Sequence, residues 1–139
     1  MQLMRQSDYS LRVLIYLALN PDHIANISDI AATFNISRNH LVKVVHQLSK
    51  LGYILTLRGR GGGIKLAQAA KDISVGSVVR DTENSLDVIN CKQPVCPILP
   101  ACRLKGVLNE ATETFLTTLD GYTIADLIQQ KDKLNRLLA

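Results

Sequence analysis

Tryptophan is absent from this 139-residue sequence, and four tyrosines and two phenylalanines are its only aromatic side chains. Proteins that hold single-stranded RNA stack bases on aromatic rings, and this chain has no such platform. Long apolar runs are missing too. The longest candidate, residues 11–19, contains Arg12 and Tyr16 and falls well short of the roughly 18 residues that cross a bilayer. The first residues lack the ordered basic flank, apolar stretch and small-residue cleavage site of a secretory signal, so the chain reads as cytoplasmic. Paired carboxylates, a nucleophile–base pair and a dinucleotide fingerprint are also lacking, and no enzyme activity is expected.

The most informative absence is of acid. Residues 30–71 contain no Asp or Glu, yet they hold Arg38, Lys43, Lys50, Arg58, Arg60, Lys65 and Lys71. That segment carries +7, whereas the whole chain carries only +4, so the remainder is net negative by three. A basic segment inside an otherwise acidic chain is the electrostatic footprint of a polyanion site; a merely solvated basic face is the plainer alternative. Cysteine is scarce and odd in number, at three, so no closed disulfide framework uses every one. In a cytoplasmic protein, clustered cysteines more often bind metal or do redox chemistry.

What is present falls into helical and extended patterns. Ser7 is placed to cap a first helix whose apolar residues Leu11, Leu14, Ile15 and Ala18 recur at helical spacing, with Asn20-Pro21-Asp22 ending it. Ser28 is placed to cap a short helix over residues 29–34, with Asp29 where the helix dipole favours an anion. After a turn at Asn35-Ile36, Ser37 caps a third helix, and Leu41, Val44, Val45 and Leu48 form its apolar stripe. Gly52 supplies a left-handed stop. Residues 53–58 and 64–67 read as strands joined by the glycine-rich tip 59–63.

Helix, short helix, turn, helix and hairpin is the order of a winged helix-turn-helix, mainly α with a small β-hairpin wing. A further short helix from Ser74 to about Thr82 closes this DNA-binding unit at residues 1–82.

With its stripe buried, the third helix is expected to expose Arg38, Asn39, His40, Lys43, His46, Gln47 and Lys50. Arg and Asn near the start of a recognition helix are the side chains that pair bidentately with guanine and adenine edges. Lys43, Lys50 and the wing residues Arg58, Arg60 and Lys65 suit phosphates or a minor groove of double-stranded DNA. The glycine-rich tip lacks a Gly-Lys-Ser/Thr ending and opens no helix, which argues against a nucleotide-phosphate loop. His40 and His46, six residues apart, point to different sides of a helix and read as polar surface.

Residues 83–102 change character. Pro94, Pro97 and Pro100 exclude a regular helix, and Cys91-x(4)-Cys96-x(5)-Cys102 lies among them. Zinc knuckles usually space a cysteine pair two to four apart and add a fourth Cys or His, but no fourth cysteine exists and no His follows His46. Three separated thiolates on a proline-stiffened loop favour an iron–sulfur cluster; zinc and unliganded thiols remain alternatives. Residues 103–139 are read as a dimerisation helix and a C-terminal helix. Leu104, Leu108, Ala111, Phe115 and Leu119 make a near-heptad seam that a second copy would cover. Gly121 ends that rod, and Thr123 caps a last amphipathic stretch running to Leu138.

The chain resembles the nitric-oxide-responsive repressors of the Rrf-type superfamily of iron–sulfur winged-helix regulators. The matching residues are Asp8-Tyr9-Ser10-Leu11-Arg12, Ser37-Arg38-Asn39-His40-Leu41-Val42-Lys43, Arg58-Gly59 and Gly62-Gly63-Ile64. Asn90-Cys91, Cys96, Pro100-Ala101-Cys102-Arg103-Leu104-Lys105, Leu119-Asp120 and Tyr122 to Leu127 continue the match. The resemblance implies that Cys91, Cys96 and Cys102 hold an iron–sulfur cluster, with Asp8 of the partner subunit completing it and Arg12 beside it. Three thiolates and a carboxylate fit a 4Fe–4S cube, with 2Fe–2S as the alternative.

The resemblance further implies a homodimer on a palindromic, A·T-rich operator, released when nitric oxide nitrosylates the cluster, so that nitric oxide detoxification genes are derepressed. A sister group that regulates cluster assembly adds a His three residues after the last Cys. Lys105 stands there, and the first cysteine gap is four rather than five. A related regulator that answers iron, cluster supply or redox stress is the alternative reading.

Overall fold

The computed structural model describes residues 1–139. Seven helices and one hairpin follow in order: α1 (Arg5–Leu19), α2 (Ile27–Phe34), α3 (Arg38–Lys50), β1 (Ile54–Leu57), β2 (Gly63–Leu66), α4 (Val75–Thr82), α5 (Arg103–Asp120), α6 (Ile124–Leu127) and α7 (Lys131–Leu138). This is the winged helix-turn-helix order, followed by a cysteine-bearing loop and a long helix.

Helix α3 forms as its sequence dictates. The Ser37 side-chain oxygen accepts from the His40 N–H at 3.2 Å, which satisfies one of the free donors of the first turn. Leu41, Val44, Val45 and Leu48 are all buried. Beyond Leu51, Gly52 takes φ 83, a left-handed conformation that side-chain-bearing residues rarely adopt. For α2 the cap is Asn26 rather than Ser28: the Asn26 carboxamide accepts the Ser28 N–H at 2.7 Å. Asn26 has extended dihedrals, whereas Ser28 already lies inside the helix.

Ser7 does not cap α1. The helix begins two residues earlier, and the Ser7 side chain is fully buried. Its hydroxyl lies 2.9 Å from that of Thr82, which also contacts the Val78 carbonyl at 2.7 Å. Each hydroxyl carries one hydrogen, so both contacts are met when Thr82 donates to Val78 and Ser7 donates to Thr82. The buried face of α1 runs through Ser7, Ser10, Val13, Leu14, Leu17 and Ala18, while Leu11 and Ile15 are only half-buried. The apolar pattern alone misplaces this face because two small serines belong to it, Ser7 meeting Thr82 of α4 and Ser10 donating to the Gln6 carbonyl of its own helix.

The hairpin pairs Ile54 with Leu66 through Leu57 with Gly63. Ile64 also exchanges two backbone hydrogen bonds with Ala25, both at 2.9 Å, which fastens β2 to the loop before α2. Tyr53 enters β1 buried, and its O–H donates to the Asp81 carboxylate at 2.6 Å. Burial first, then the bond to Asp81 and its charge, raise the phenol above its ordinary range, so it stays a donor.

Helix α5 leans on α4 only near its C-terminal end. Leu116 is buried there, and a Cβ on Gly76 of α4 would collide with the Asp120 carboxylate. Asp120 itself accepts from Arg80 at 2.7 Å. At roughly 1.5 Å per residue, the 18 residues of α5 form a rod ~27 Å long, and along it Leu104, Val107 and Phe115 stay exposed. The final stretch is two helices rather than one. Thr123 and Asp126 form a reciprocal capping box on α6, and a break after Leu127 precedes α7. Ile124 of α6 is fully buried in the same core as Val13 and Leu48.

Leu48→Ala removes a fully buried side chain and is expected to lower stability by about 2–5 kcal/mol in urea unfolding. A loss below about 1 kcal/mol would mean that the α3 stripe is not the core contact described.

Candidate functional site

Two surfaces carry the residues singled out by the sequence. The first is α3 with the wing. Ser37, Arg38, Asn39, Lys43, His46 and Lys50 are exposed, as are Arg58 and Arg60, and Lys65 is half-exposed. The Arg38 Nε–H donates to the Ser28 hydroxyl at 3.1 Å, which steadies one edge of the guanidinium and leaves its other N–H groups uncommitted. The Ser49 and Thr56 hydroxyls meet at 2.9 Å and tie α3 to β1. At the wing tip, Gly59 and Gly61 have φ 90 and 71, and a Cβ on Gly62 would strike the Leu57 carbonyl oxygen. Glycine is required there because the backbone turns tightly on itself.

Two members of the expected exposed face behave differently. His40 and Gln47 are half-buried. The His40 ring meets Tyr9 edge-on with centroids 4.9 Å apart, and the Gln47 side-chain oxygen accepts from Gln6 at 2.6 Å. Seven residues apart on α3, they flank the buried stripe on the side facing α1 instead of lying opposite it. Gln6 carries no motif that would single it out in the sequence, and Tyr9 stands there only within the Asp8-to-Arg12 match, with no role of its own.

The second surface is the cysteine loop. All three thiols are unpaired and half-buried. The Asn90 carboxamide accepts from the N–H groups of Lys92 and Gln93 at 3.0 and 3.2 Å, turning the chain just at Cys91. The Cys96 N–H then donates to the Cys91 carbonyl at 3.1 Å, and the Leu99 N–H to the Cys96 carbonyl at 3.1 Å. A short 3₁₀ turn over Leu99–Ala101 delivers Cys102 as the N-cap of α5. An open cleft of about 680 Å³ lies between this loop and α5, lined by Cys91, Lys92, Lys105, Leu108 and Asn109 among others.

Asp8 is elsewhere. It accepts two hydrogen bonds from Arg12, at 2.8 and 2.9 Å, and both side chains are more than two-fifths exposed. An i, i+4 pair of this exposure is worth only about 0.3–0.5 kcal/mol, so Asp8 is held but readily released. With Tyr9, Arg12, Phe34 and others it lines a second cleft of about 530 Å³, which shares no residue with the first.

No three His, Cys, Asp or Glu side chains of one chain come together closely enough to hold a single metal ion. The chemistry of the donor set nevertheless suits an iron–sulfur cluster. Three unpaired thiols sit on one turned loop, soft ligands of the kind such clusters take. Among carboxylates, Asp87 lines the same cleft as Cys91, whereas Asp8 lies in the separate one.

A winged-helix frame with an acid-free basic face defines a DNA-binding transcriptional regulator. The chain belongs to the Rrf2 family, described as iron-dependent transcriptional regulators, which it matches over residues 3–130. It is 48% identical to the HTH-type transcriptional regulator NsrR of Bacillus subtilis, covering 99% of this chain and 97% of that protein. The NsrR regulator of Halalkalibacterium halodurans is 47% identical over the same 99% and 97%. Among solved structures, T. potens IscR superposes with TM-score 0.76 at 24% identity, covering 94% of this chain and 88% of that one. The B. subtilis global cysteine regulator CymR gives 0.73 at 23% identity, covering 91% and 95%. These relatives are regulators, and the chain is not an enzyme. None of its helices is long and apolar enough to cross a membrane.

Arg60→Ala is expected to weaken DNA binding about equally on all sequences and to reduce the slope of log affinity against log salt by about one, read by fluorescence anisotropy across a potassium chloride series. A slope unchanged from the wild type would remove Arg60 from the phosphate contacts.

Proposed function

We propose that this chain is a cytoplasmic, homodimeric repressor that grips a palindromic operator while it holds an iron–sulfur cluster, and that nitric oxide is the signal that releases it. The observation that carries the reading is the set of three unpaired thiols on one turned loop, with the carboxylate of Asp8 set apart in a cleft of its own. Cys91, Cys96 and Cys102 supply the thiolates, and Asp8 of the partner subunit supplies the remaining ligand. Three thiolates and one carboxylate fit a 4Fe–4S cube. When bound, the cluster offers iron that reacts with nitric oxide, most readily where the harder and more weakly matched oxygen ligand is attached.

The chain's own residues account for the rest. Of the expected seam on α5, Leu104, Ala111 and Phe115 are exposed while Leu108 and Leu119 are half-buried. With exposed Val107 beside them, they give a second copy an apolar strip to cover, which would set two recognition helices at a fixed spacing. Within each copy, Ser37, Arg38 and Asn39 stand exposed at the start of α3 to meet base edges, with Lys43 on the next turn. His40, expected among them, is turned toward Tyr9 and supports that turn from behind. Arg58, Arg60 and Lys65 reach phosphates or the minor groove from the wing. Arg12 is the alternative partner of Asp8, so a carboxylate that leaves the cluster has a cation waiting four residues away. Release of the operator then derepresses genes for nitric oxide removal. The level of identity to the NsrR regulators supports this signal over iron, cluster supply or general redox stress.

Cys96→Ala, purified without oxygen, is expected to be colourless and to bind the operator at least about tenfold more weakly, within the usual range of allosteric coupling. Normal colour and normal binding would overturn the reading. Asp8→Ala is expected to keep the DNA-binding surface intact while altering the amount of nitric oxide needed for release; an unchanged titration removes Asp8 from the site.

A further inference from the structure

The first two turns of α1 touch both the root of the cysteine loop and the recognition helix. The Met4 backbone N–H donates to the Glu83 carboxylate at 2.7 Å, and the Ser7 and Thr82 hydroxyls meet at 2.9 Å. Both contacts clasp the end of α4, where the cysteine loop departs. Gln6 and Tyr9, three residues apart and therefore neighbours on the helix surface, reach α3 instead. Gln6 Nε2 donates to Gln47 at 2.6 Å, and Gln47 Nε2 reaches the Asp81 carbonyl at 3.5 Å, so this end of α3 is held from two sides. Tyr9 meets the His40 ring at 4.9 Å with the planes inclined by 66°.

Asp8 lies beside this contact. Its partner Arg12 places its guanidinium 5.8 Å from the Tyr9 ring centroid and 5.9 Å from that of Phe34 on α2. A cation at this range is attracted to a ring face. Tyr9 is thus in contact with the ion-pair partner of Asp8 and with the N-terminal turn of the recognition helix, one residue from Asn39 and two from Arg38.

We propose that Tyr9 is a positioning residue that couples the state of Asp8 to the orientation of the recognition helix, through Arg12 on one side and His40 on the other. The inference rests on the reading of Asp8 as the ligand given to the partner's cluster. While Asp8 is so engaged, Arg12 loses its bidentate carboxylate and is left to the Tyr9 and Phe34 rings. Once Asp8 returns, Arg12 is drawn back along α1 and its hold on the Tyr9 ring changes. His40 follows the ring, whereas Gln47 stays anchored to Gln6 and Asp81. The base-reading turn of α3 therefore pivots about its far end while Leu41, Val44 and Leu48 remain in the core.

The test measures operator affinity of the oxygen-protected dimer with the cluster present and after its removal by a chelator. The probe is a labelled duplex selected by the wild-type holo protein from a random library, and iron and sulfide are counted in each sample. In the wild type the two affinities are expected to differ by roughly 5–150-fold. Tyr9→Leu keeps apolar volume but lacks the aromatic face; it should retain its iron and sulfide while the ratio falls to within about threefold. Tyr9→Phe, which keeps the ring, should restore the ratio. A Tyr9→Leu protein with the wild-type ratio, or one weakened equally in both states, overturns the coupling role. A wild-type ratio of one would instead overturn the iron–sulfur reading itself. If Tyr9→Leu does not fold, the ring resonances of isotopically labelled His40 in the wild type decide the matter without DNA: they should move on cluster removal, and unmoved resonances overturn the proposal.

Discussion

Helix α1 cannot keep Val13, Leu14 and Leu17 out of water without lying against both α3 and α4, and that burial positions the surfaces on every side of it. It leaves one flank of α1 against the recognition helix, where Gln6 meets Gln47 and Tyr9 meets His40. A second flank meets α4 through the buried Ser7–Thr82 pair. The remaining side, with Asp8 and Arg12, is left facing a cleft open to solvent. A single amphipathic helix thus sits at once in the core, under the DNA-reading surface and at the edge of the candidate cluster site. Displacing its first turns changes all three environments.

Charge is segregated along the chain in a similar way. The acid-free stretch of residues 30–71 spans the end of α2, all of α3 and the wing, so no carboxylate of its own competes with a bound polyanion for its cations. The thiols lie on the loop that leaves α4, and the seam of α5 begins directly after Cys102. The three thiols and the Asp8 carboxylate occupy separate parts of a single copy. On the proposed reading, the full ligand set exists only between two copies, which makes occupancy of the site and the geometry of the dimer one variable.

Much of the fold is legible in the sequence because it depends on local rules. Ser37, the stripe Leu41–Val44–Val45–Leu48 and Gly52 define α3 through capping, 3.6-residue periodicity and a left-handed stop, and each takes its expected role. Other features depend on what lies across the fold. Ser7 resembles a cap because serine favours caps, but its hydroxyl is satisfied by Thr82, far away in the chain. Asn26 and Ser28 are both good caps, and only the backbone dihedrals of Asn26 decide between them. His40 and Gln47 fall outside the exposed face that periodicity predicts, because periodicity marks the centre of a buried stripe better than its borders. The contacts of Tyr9 with His40 and of Arg12 with Phe34 join residues far apart in the chain, which no local rule pairs.

The most direct measurement is made on the unmodified protein, purified without oxygen. Iron and acid-labile sulfide are counted and the visible spectrum recorded, and operator binding is then followed during titration with nitric oxide. The expected result is a coloured dimer containing both elements, whose grip on DNA is lost as the spectrum changes. A colourless, iron-free protein that binds its operator tightly and ignores nitric oxide would contradict the cluster-based switch.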